Sequence, residues 1–238
     1  MLAGQAVMIN WSDVAAEHRH AYYEWHSREH MVGRVAIPGF QRGRRYSAVN
    51  AQRDFLNFYE VDDLSVLTGA DYLAKANAPS PLTQRTTPFV KNSVRGISRV
   101  KKSLGIGAGG FALTLRFDPA NGAVDKLDRY LDEAFAKLAG IPEIVGVHLI
   151  VADPSASTIV PVERKGRPTI IPNWIVVMEG ISVAALDSAC DAHLAQDMLR
   201  AHGSSDAIER ETYSLQIMVS KSHAAPSSNP FRAADKRR

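Results

Sequence analysis

Gly105-Ile106-Gly107-Ala108-Gly109-Gly110 divides the chain near its middle, and its reading decides the fold. A glycine-rich run cradles a phosphate where it opens a helix whose first amides meet the anion. Here residues 111–117 follow, and their composition is that of a strand, so the run reads as a flexible turn between two units. Upstream, residues 6–11 read as a strand. Ser12 or Asp13 offers an N-cap to a helix running to about Gly33, and Pro38-Gly39 makes a turn. Residues 40–49 and 55–61 read as strands. A helix capped by Ser65 runs through Tyr72 to about Ala78, where Pro79 and Pro81 stop it, and residues 93–100 return as a strand. Downstream the order recurs: strand 111–117, amphipathic helix 123–138 with Leu127, Leu131, Phe135 and Leu138 on one side, strand 144–151, loop 153–172, strand 174–178, helix 184–202 closed by Gly203, and strand 213–219.

Each half is therefore β-α-β-β-α-β, an order that makes a four-stranded antiparallel sheet with both helices on one face. The uncovered face is apolar, and a chain with two such units buries it by packing sheet against sheet. The expectation is an α+β protein with a first unit at 1–104, a second at 105–220 and a disordered tail at 221–238, the halves forming an internal pseudo-dimer open to further homo-oligomerisation.

Composition narrows the function. Of 238 residues, 45% are hydrophobic and 22% charged, ordinary for a globular protein. Much of the net charge of +3 comes from Lys236-Arg237-Arg238, so no nucleic-acid partner is expected. No apolar run approaches the roughly 20 residues that span a bilayer, and no signal peptide opens the chain, so no membrane partner is expected. Cys190, the single cysteine, lies in a helical pattern with Leu186 and Leu194 and reads as a buried thiol; a reducing, cytoplasmic setting follows.

The chemistry concentrates in Trp25-His26-Ser27-Arg28-Glu29-His30. With about 100° per residue, Val14, Ala21 and Val32 lie near Trp25 on the buried stripe. Glu29 falls about 40° and Tyr22 about 60° from Trp25, His26 at about 100° and His30 at about 140°, toward solvent. A carboxylate on the inward face needs a partner. His26, three residues back, is one choice; Arg42, Arg44 or Arg45 on the next strand is the other. His-x-x-Glu-His is also the spacing of a metal pair, His26 with His30, although no third ligand is evident. Tyr46 and Tyr59 lie on adjacent strands, where a phenol can orient a carbonyl oxygen. Arg44 shares a strand face with Tyr46, and Arg45 points to the other. Tyr72 reads as core and His148 as a structural histidine. The second half has no counterpart to the histidine cluster, so one site is expected, in the first half.

Trp25-His26-Ser27-Arg28-Glu29-His30-Met31, with Arg34, Ile37-Pro38-Gly39-Phe40 and Arg44-Arg45-Tyr46, resembles the dimeric α/β-barrel superfamily in its EthD-like branch, best over residues 6–100. The resemblance implies two ferredoxin-like units packed as an intramolecular dimeric α/β barrel. The superfamily holds cyclases, isomerases, cofactor-independent monooxygenases, stress-responsive proteins and haem-binding enzymes. The resulting expectation is a cofactor-independent enzyme for a small carbonyl or aromatic compound. His26, Glu29 and Tyr59 would be catalytic, and Trp25, Tyr22, Tyr46, Arg44 and His30 would line the substrate. The alternatives are a non-enzymatic small-molecule or stress-associated protein, and a haem or metal protein using the histidine segment.

Overall fold

A computed structural model describes residues 1–165 and 173–224. Strands are numbered in chain order: β1 (Ala6–Asp13), β2 (Phe40–Asn50), β3 (Phe55–Val61), β4 (Lys91–Gly105), β5 (Phe111–Phe117), β6 (Ile144–Ala152), β7 (Trp174–Gly180) and β8 (Glu209–Ser220). They close into one antiparallel barrel in the order β1-β3-β2-β8-β5-β7-β6-β4, with β4 returning to β1. Within each half the order is that of a ferredoxin-like sheet, β4-β1-β3-β2 and β8-β5-β7-β6. The free edges then zip together at two seams, β2 with β8 and β4 with β6. Closure leaves no strand edge in water.

Alternate residues fill the interior: Val7, Ile9 and Trp11 of β1, Leu56 and Phe58 of β3, Ile175 and Val177 of β7, and Tyr213 of β8 form one buried cluster from both halves. A polar layer closes one end. Arg44 donates to Glu60 at 2.8 Å and, across the halves, to Glu179 at 2.7 Å. Burial pushes the Glu179 carboxyl up, but Arg44, with help from His148, outweighs it and holds the group at about 2. His148 Nε2 approaches Glu179 Oε1 to 3.3 Å off the hydrogen-bonding line, while its Nδ1 meets Ser103 Oγ at 2.9 Å. Gly109 N donates to Glu179, so the central glycine run is fastened to this layer. A Cβ on Gly109 would lie 2.5 Å from the Gly180 carbonyl oxygen, so only glycine fits there.

Helices cover the outer sheet faces. In the second half, α6 (Val124–Ala139) and α8 (Val183–His193) pack Leu127, Leu131, Phe135 and Leu186 onto Leu113, Leu115, Val176 and Met178. The first half departs from the expected elements. β1 continues through Asp13, whose carboxylate accepts from Asp54 N and Asn92 Nδ2 across the strands and is not an N-cap. The first helix accordingly starts later, as a 3₁₀ turn (Ala16–His18), then α1 (Arg19–Trp25), a π turn (His26–His30) and α2 (Met31–Val35). The helix expected at 65–78 is broken at Gly69 into α3 (Leu64–Thr68) and α4 (Ala70–Asn77), and Asp63, not Ser65, caps the first piece. Pro81 opens a further helix, α5 (Pro81–Thr86), with Ser80 as its cap. The segment read as a loop at 153–172 contains α7 (Pro154–Ser157) and a 3₁₀ turn (Val162–Arg164), its remainder at 166–172 lying outside the described residues. α9 (Gln196–Ala201) ends before Gly203, whose φ of 107° reverses the chain. Of the tail expected at 221–238, residues 221–224 form the short helix α10 (Lys221–Ala224), and 225–238 lie outside the described residues. Among the described residues no helix is long and apolar enough to cross a membrane.

Candidate functional site

The π turn sets the geometry of the site. It adds one residue to a helical turn, so side chains beyond it lie in a different phase. The buried stripe runs Tyr22, His26, then Met31, five residues on, then Val35. His26, expected at the edge, is only 3% exposed, whereas Glu29, expected to face inward, is half-buried. The suggested pairing of Glu29 with His26 or an arginine is not made. Glu29 accepts from Ser80 Oγ at 2.5 Å and Thr83 Oγ1 at 3.1 Å, and Thr83 in turn receives the Trp25 indole N–H at 2.9 Å.

His26 lies between β2 and β3. Its Nδ1 is 3.3 Å from Arg45 Nη1 and its Nε2 is 3.3 Å from the Tyr59 hydroxyl. Arg45 is fixed by Ser27 Oγ at 2.9 Å and Gln216 Oε1 at 3.0 Å, with its guanidinium over the Tyr23 ring. Tyr22 stacks on His26 at 5.1 Å and receives a hydrogen bond from Asn57 Nδ2 at 3.3 Å. Burial, and then the charge of Arg45, hold the His26 pKa well below its ordinary value. Burial pushes the Tyr22 phenol up to about 12 and raises Tyr59 further.

These groups line a cavity of about 70 Å³ between the first-half helices and the outer sheet face. Tyr22, Trp25, His26, His30 and Tyr59 all line it; Glu29 instead lines a neighbouring recess with Ser80 and Thr83. Arg44 and Tyr46 do not reach it, because their strand face is the barrel interior, where Arg44 Nη1 donates to Tyr46 OH at 2.8 Å. His26 and His30 have ring centroids 5.5 Å apart, and no group of three His, Cys, Asp or Glu among the described residues is placed to hold a metal.

Sequence reasoning missed several lining groups. Asn10 and Asn57 each present a buried Oδ1 with no partner among the described residues. Arg34 and Arg95 are both buried; Tyr72 belongs to the first-half core, as its sequence reading had it, and lines the cavity as well. Arg95 shares the helix-facing side of β4 with Ser93 and Ile97, so a cation in phase with buried positions was a visible signal. Glu163 and Arg164 come from the second half, in the 3₁₀ turn after β6, and no local pattern could have assigned them to a first-half site.

Ladder registers show how the equivalent face of the second half differs among the described residues. Ala112 opposes Glu179 on β5–β7 as Val7 opposes Glu60 on β1–β3, and His148 opposes Val177 on β6–β7 as Arg44 opposes Phe58 on β2–β3. At the positions equivalent to Asn10, Arg45, Asn57 and Tyr59 stand Leu115, Leu149, Val176 and Met178, all buried in the second-half core. Apolar side chains there occupy what is polar space in the first half.

No family model and no curated protein matches this sequence. Solved structures do. An anthrone oxidase-like protein matches with a TM-score of 0.65 at 14% identity over 92% of this chain and 94% of its own. A candidate monooxygenase of Fusobacterium nucleatum matches at 0.63 and 8% identity over 92% and 96%. A heme-binding protein of Thermus thermophilus matches at 0.53 and 11% identity over 90% and 92%. At these identities the likeness is one of fold: an α+β chain with an eight-stranded closed antiparallel barrel, as in the dimeric α/β-barrel proteins of the ferredoxin-like superfamily.

Proposed function

We propose that the first-half cavity is the active site of a small-molecule enzyme that stabilises an enolate or phenolate without a cofactor, with Tyr59 donating to the oxygen on which charge develops. The observation that carries this reading is the chain Arg45–His26–Tyr59. A guanidinium can only donate, so His26 Nδ1 accepts. The imidazole is neutral, its proton therefore sits on Nε2, and Nε2–H donates to the Tyr59 oxygen. The phenol's own proton is left to point into the cavity, and its raised pKa keeps it a donor rather than a base. A fixed donor in a buried site favours the charged transition state over the neutral ground state.

This assigns His26 a positioning role, since Arg45 takes its one free lone pair. Glu29 is likewise a positioning residue, holding Trp25 through Thr83. The α-proton of the substrate passes to a water molecule in the cavity, and the enolate so formed can be reprotonated at another carbon, close a ring or react with dioxygen; the likeness to an anthrone oxidase-like protein and a candidate monooxygenase favours the last. The EthD-like assignment, resting on the Trp25–Met31 motif, and a reducing compartment for the buried Cys190 belong to the same reading. A haem site is not favoured by the donor set: both ring nitrogens of His26 are engaged, Nδ1 by Arg45 and Nε2 by Tyr59.

Phenylpyruvate and its methyl ester, single-ring enolisable carbonyls, test the proposal. Exchange of the benzylic hydrogens in D₂O should be accelerated for at least one of them, and Tyr59→Phe should cut that acceleration by about 10²-fold. Oxygen uptake in the same sample separates oxygenation from isomerisation. Binding without turnover would favour the non-enzymatic alternative, and equal rates in Tyr59→Phe would overturn the role of Tyr59.

A further inference from the structure

Arg95 is 4% exposed, and its Nη2 meets only Tyr72 OH at 3.2 Å and Met8 Sδ at 3.4 Å; no carboxylate among the described residues pairs with it. A buried guanidinium without an anion is unfavourable, and such a group is retained where a ligand completes it. Arg34, 2% exposed, sits over the ring of the same tyrosine, its guanidinium carbon 5.0 Å from the Tyr72 centroid. Its Nη2 is paired with the carboxylate of Glu163, while Nε and Nη1 have no partner among the described residues. Tyr72 is thus flanked by two buried guanidinium groups, one at its hydroxyl and one on its face. Among the described lining residues, three arginines face a single carboxylate, that of Glu163.

We propose that this cluster is a carboxylate subsite: the ligand carries a carboxylate beside its reacting carbonyl or hydroxyl, the carboxylate sits between Arg34 and Arg95, and Glu163 occupies part of that position until the ligand displaces it. The inference rests on the enzymatic reading above and names its substrate class. Three features fit it. Both forks of the Arg34 guanidinium, Nε with Nη2 and Nη1 with Nη2, share the Nη2 that Glu163 holds, while Nε and Nη1 are unused, so a carboxylate that replaces Glu163 can bind in bidentate fashion. Glu163 sits on a short 3₁₀ turn outside the barrel strands, held to α4 where Val162 N donates to Asn77 Oδ1 at 3.0 Å, so its side chain can swing off Arg34 while the turn stays in place. Tyr59 lines the same cavity as both arginines, so one compact molecule can meet the donor and the cations together.

The acid and its ester differ by the charge at issue, which makes them the probes. Wild-type protein should show a KM for phenylpyruvate about tenfold or more below that for methyl phenylpyruvate, the range of a buried charged hydrogen bond. Glu163→Gln and Glu163→Ala should lower KM for the acid only, by about tenfold if Glu163 holds Arg34 nine times in ten. Arg95→Met should erase the preference, and Arg95→Lys should restore part of it. Should Arg95→Met not fold, the two Glu163 variants decide the matter. Acid and ester handled alike by wild type, or a Glu163 variant that weakens the acid, would overturn the subsite and leave the enzymatic reading standing. Turnover of neither compound, with no binding of either, would overturn both.

Discussion

His26 stays neutral in the fold because water is excluded from it and Arg45 stands at its Nδ1, and this has a consequence for stability. The unfolded chain takes up a proton at this residue near the ordinary value of 6.5, while the folded protein does not until the pH is much lower. Between those values the unfolded state binds more protons, so stability falls as pH falls, by up to about 1.4 kcal/mol per unit. His148, also lowered by burial against the opposing pull of Glu179, contributes in the same direction. Urea titrations at pH 7.5 and 5.5 should show wild type losing about 1 kcal/mol more than His26→Gln over that interval. Parallel losses in the two proteins would show that folded His26 protonates freely, and the tautomer assigned to it would fall.

Among the elements, the π turn decides which side chains meet the cavity, and Gly43 decides where one of them stands. Gly43 opposes Tyr59 in the β2–β3 ladder, with the phenol ring lying over the glycine. A Cβ there would sit 2.8 Å from Tyr59 Cε1 and 3.2 Å from Met31 Cγ. Gly43→Ala should therefore cost about 1–3 kcal/mol and push Tyr59 away from His26. In a Tyr59→Ala background the same substitution should be nearly free, and strict additivity in this double-mutant cycle would refute the contact. Legibility in the sequence follows the same division. The alternating run of β5, the continuous apolar run of β7 and the amphipathic stripe of α6 are readable because local composition and period carry them. The inward phase expected of Glu29 fails because one inserted residue in a helix leaves no mark on a wheel drawn at constant angle. β4, expected to stop at Val100, runs to Gly105, because its last residues pair with β6 of the other half. The cluster around Tyr72 is hidden for a related reason: Arg34, Arg95 and Glu163 come from three separate elements.

Taken whole, the molecule is one barrel whose two halves finish each other, and neither half can satisfy its own edges. Residues 1–104 alone would expose the interior side chains Val7, Ile9, Trp11, Leu56 and Phe58, with β2 and β4 as unpaired edges. Such an edge recruits another strand. The register equivalences say which one. β8 stands to β5 and β7 as β4 stands to β1 and β3, so a second copy can offer its β4 to β2 and its β2 to β4. The polar layer tolerates the exchange: Arg44 and Glu60 occupy the positions of His148 and Glu179, so two copies bring two Arg44 and two Glu60, one buried cation for each buried carboxylate. The isolated 1–104 fragment is therefore expected to sediment as a dimer with a cooperative urea transition whose midpoint rises with concentration. Arg44→Met in that fragment should weaken the dimer by about 1–3 kcal/mol, because Glu60 then keeps only Arg42 and the Ala3 amide as partners. A folded, monomeric 1–104 fragment would show that the halves are independent domains, and the barrel would then be an association of units that do not need one another.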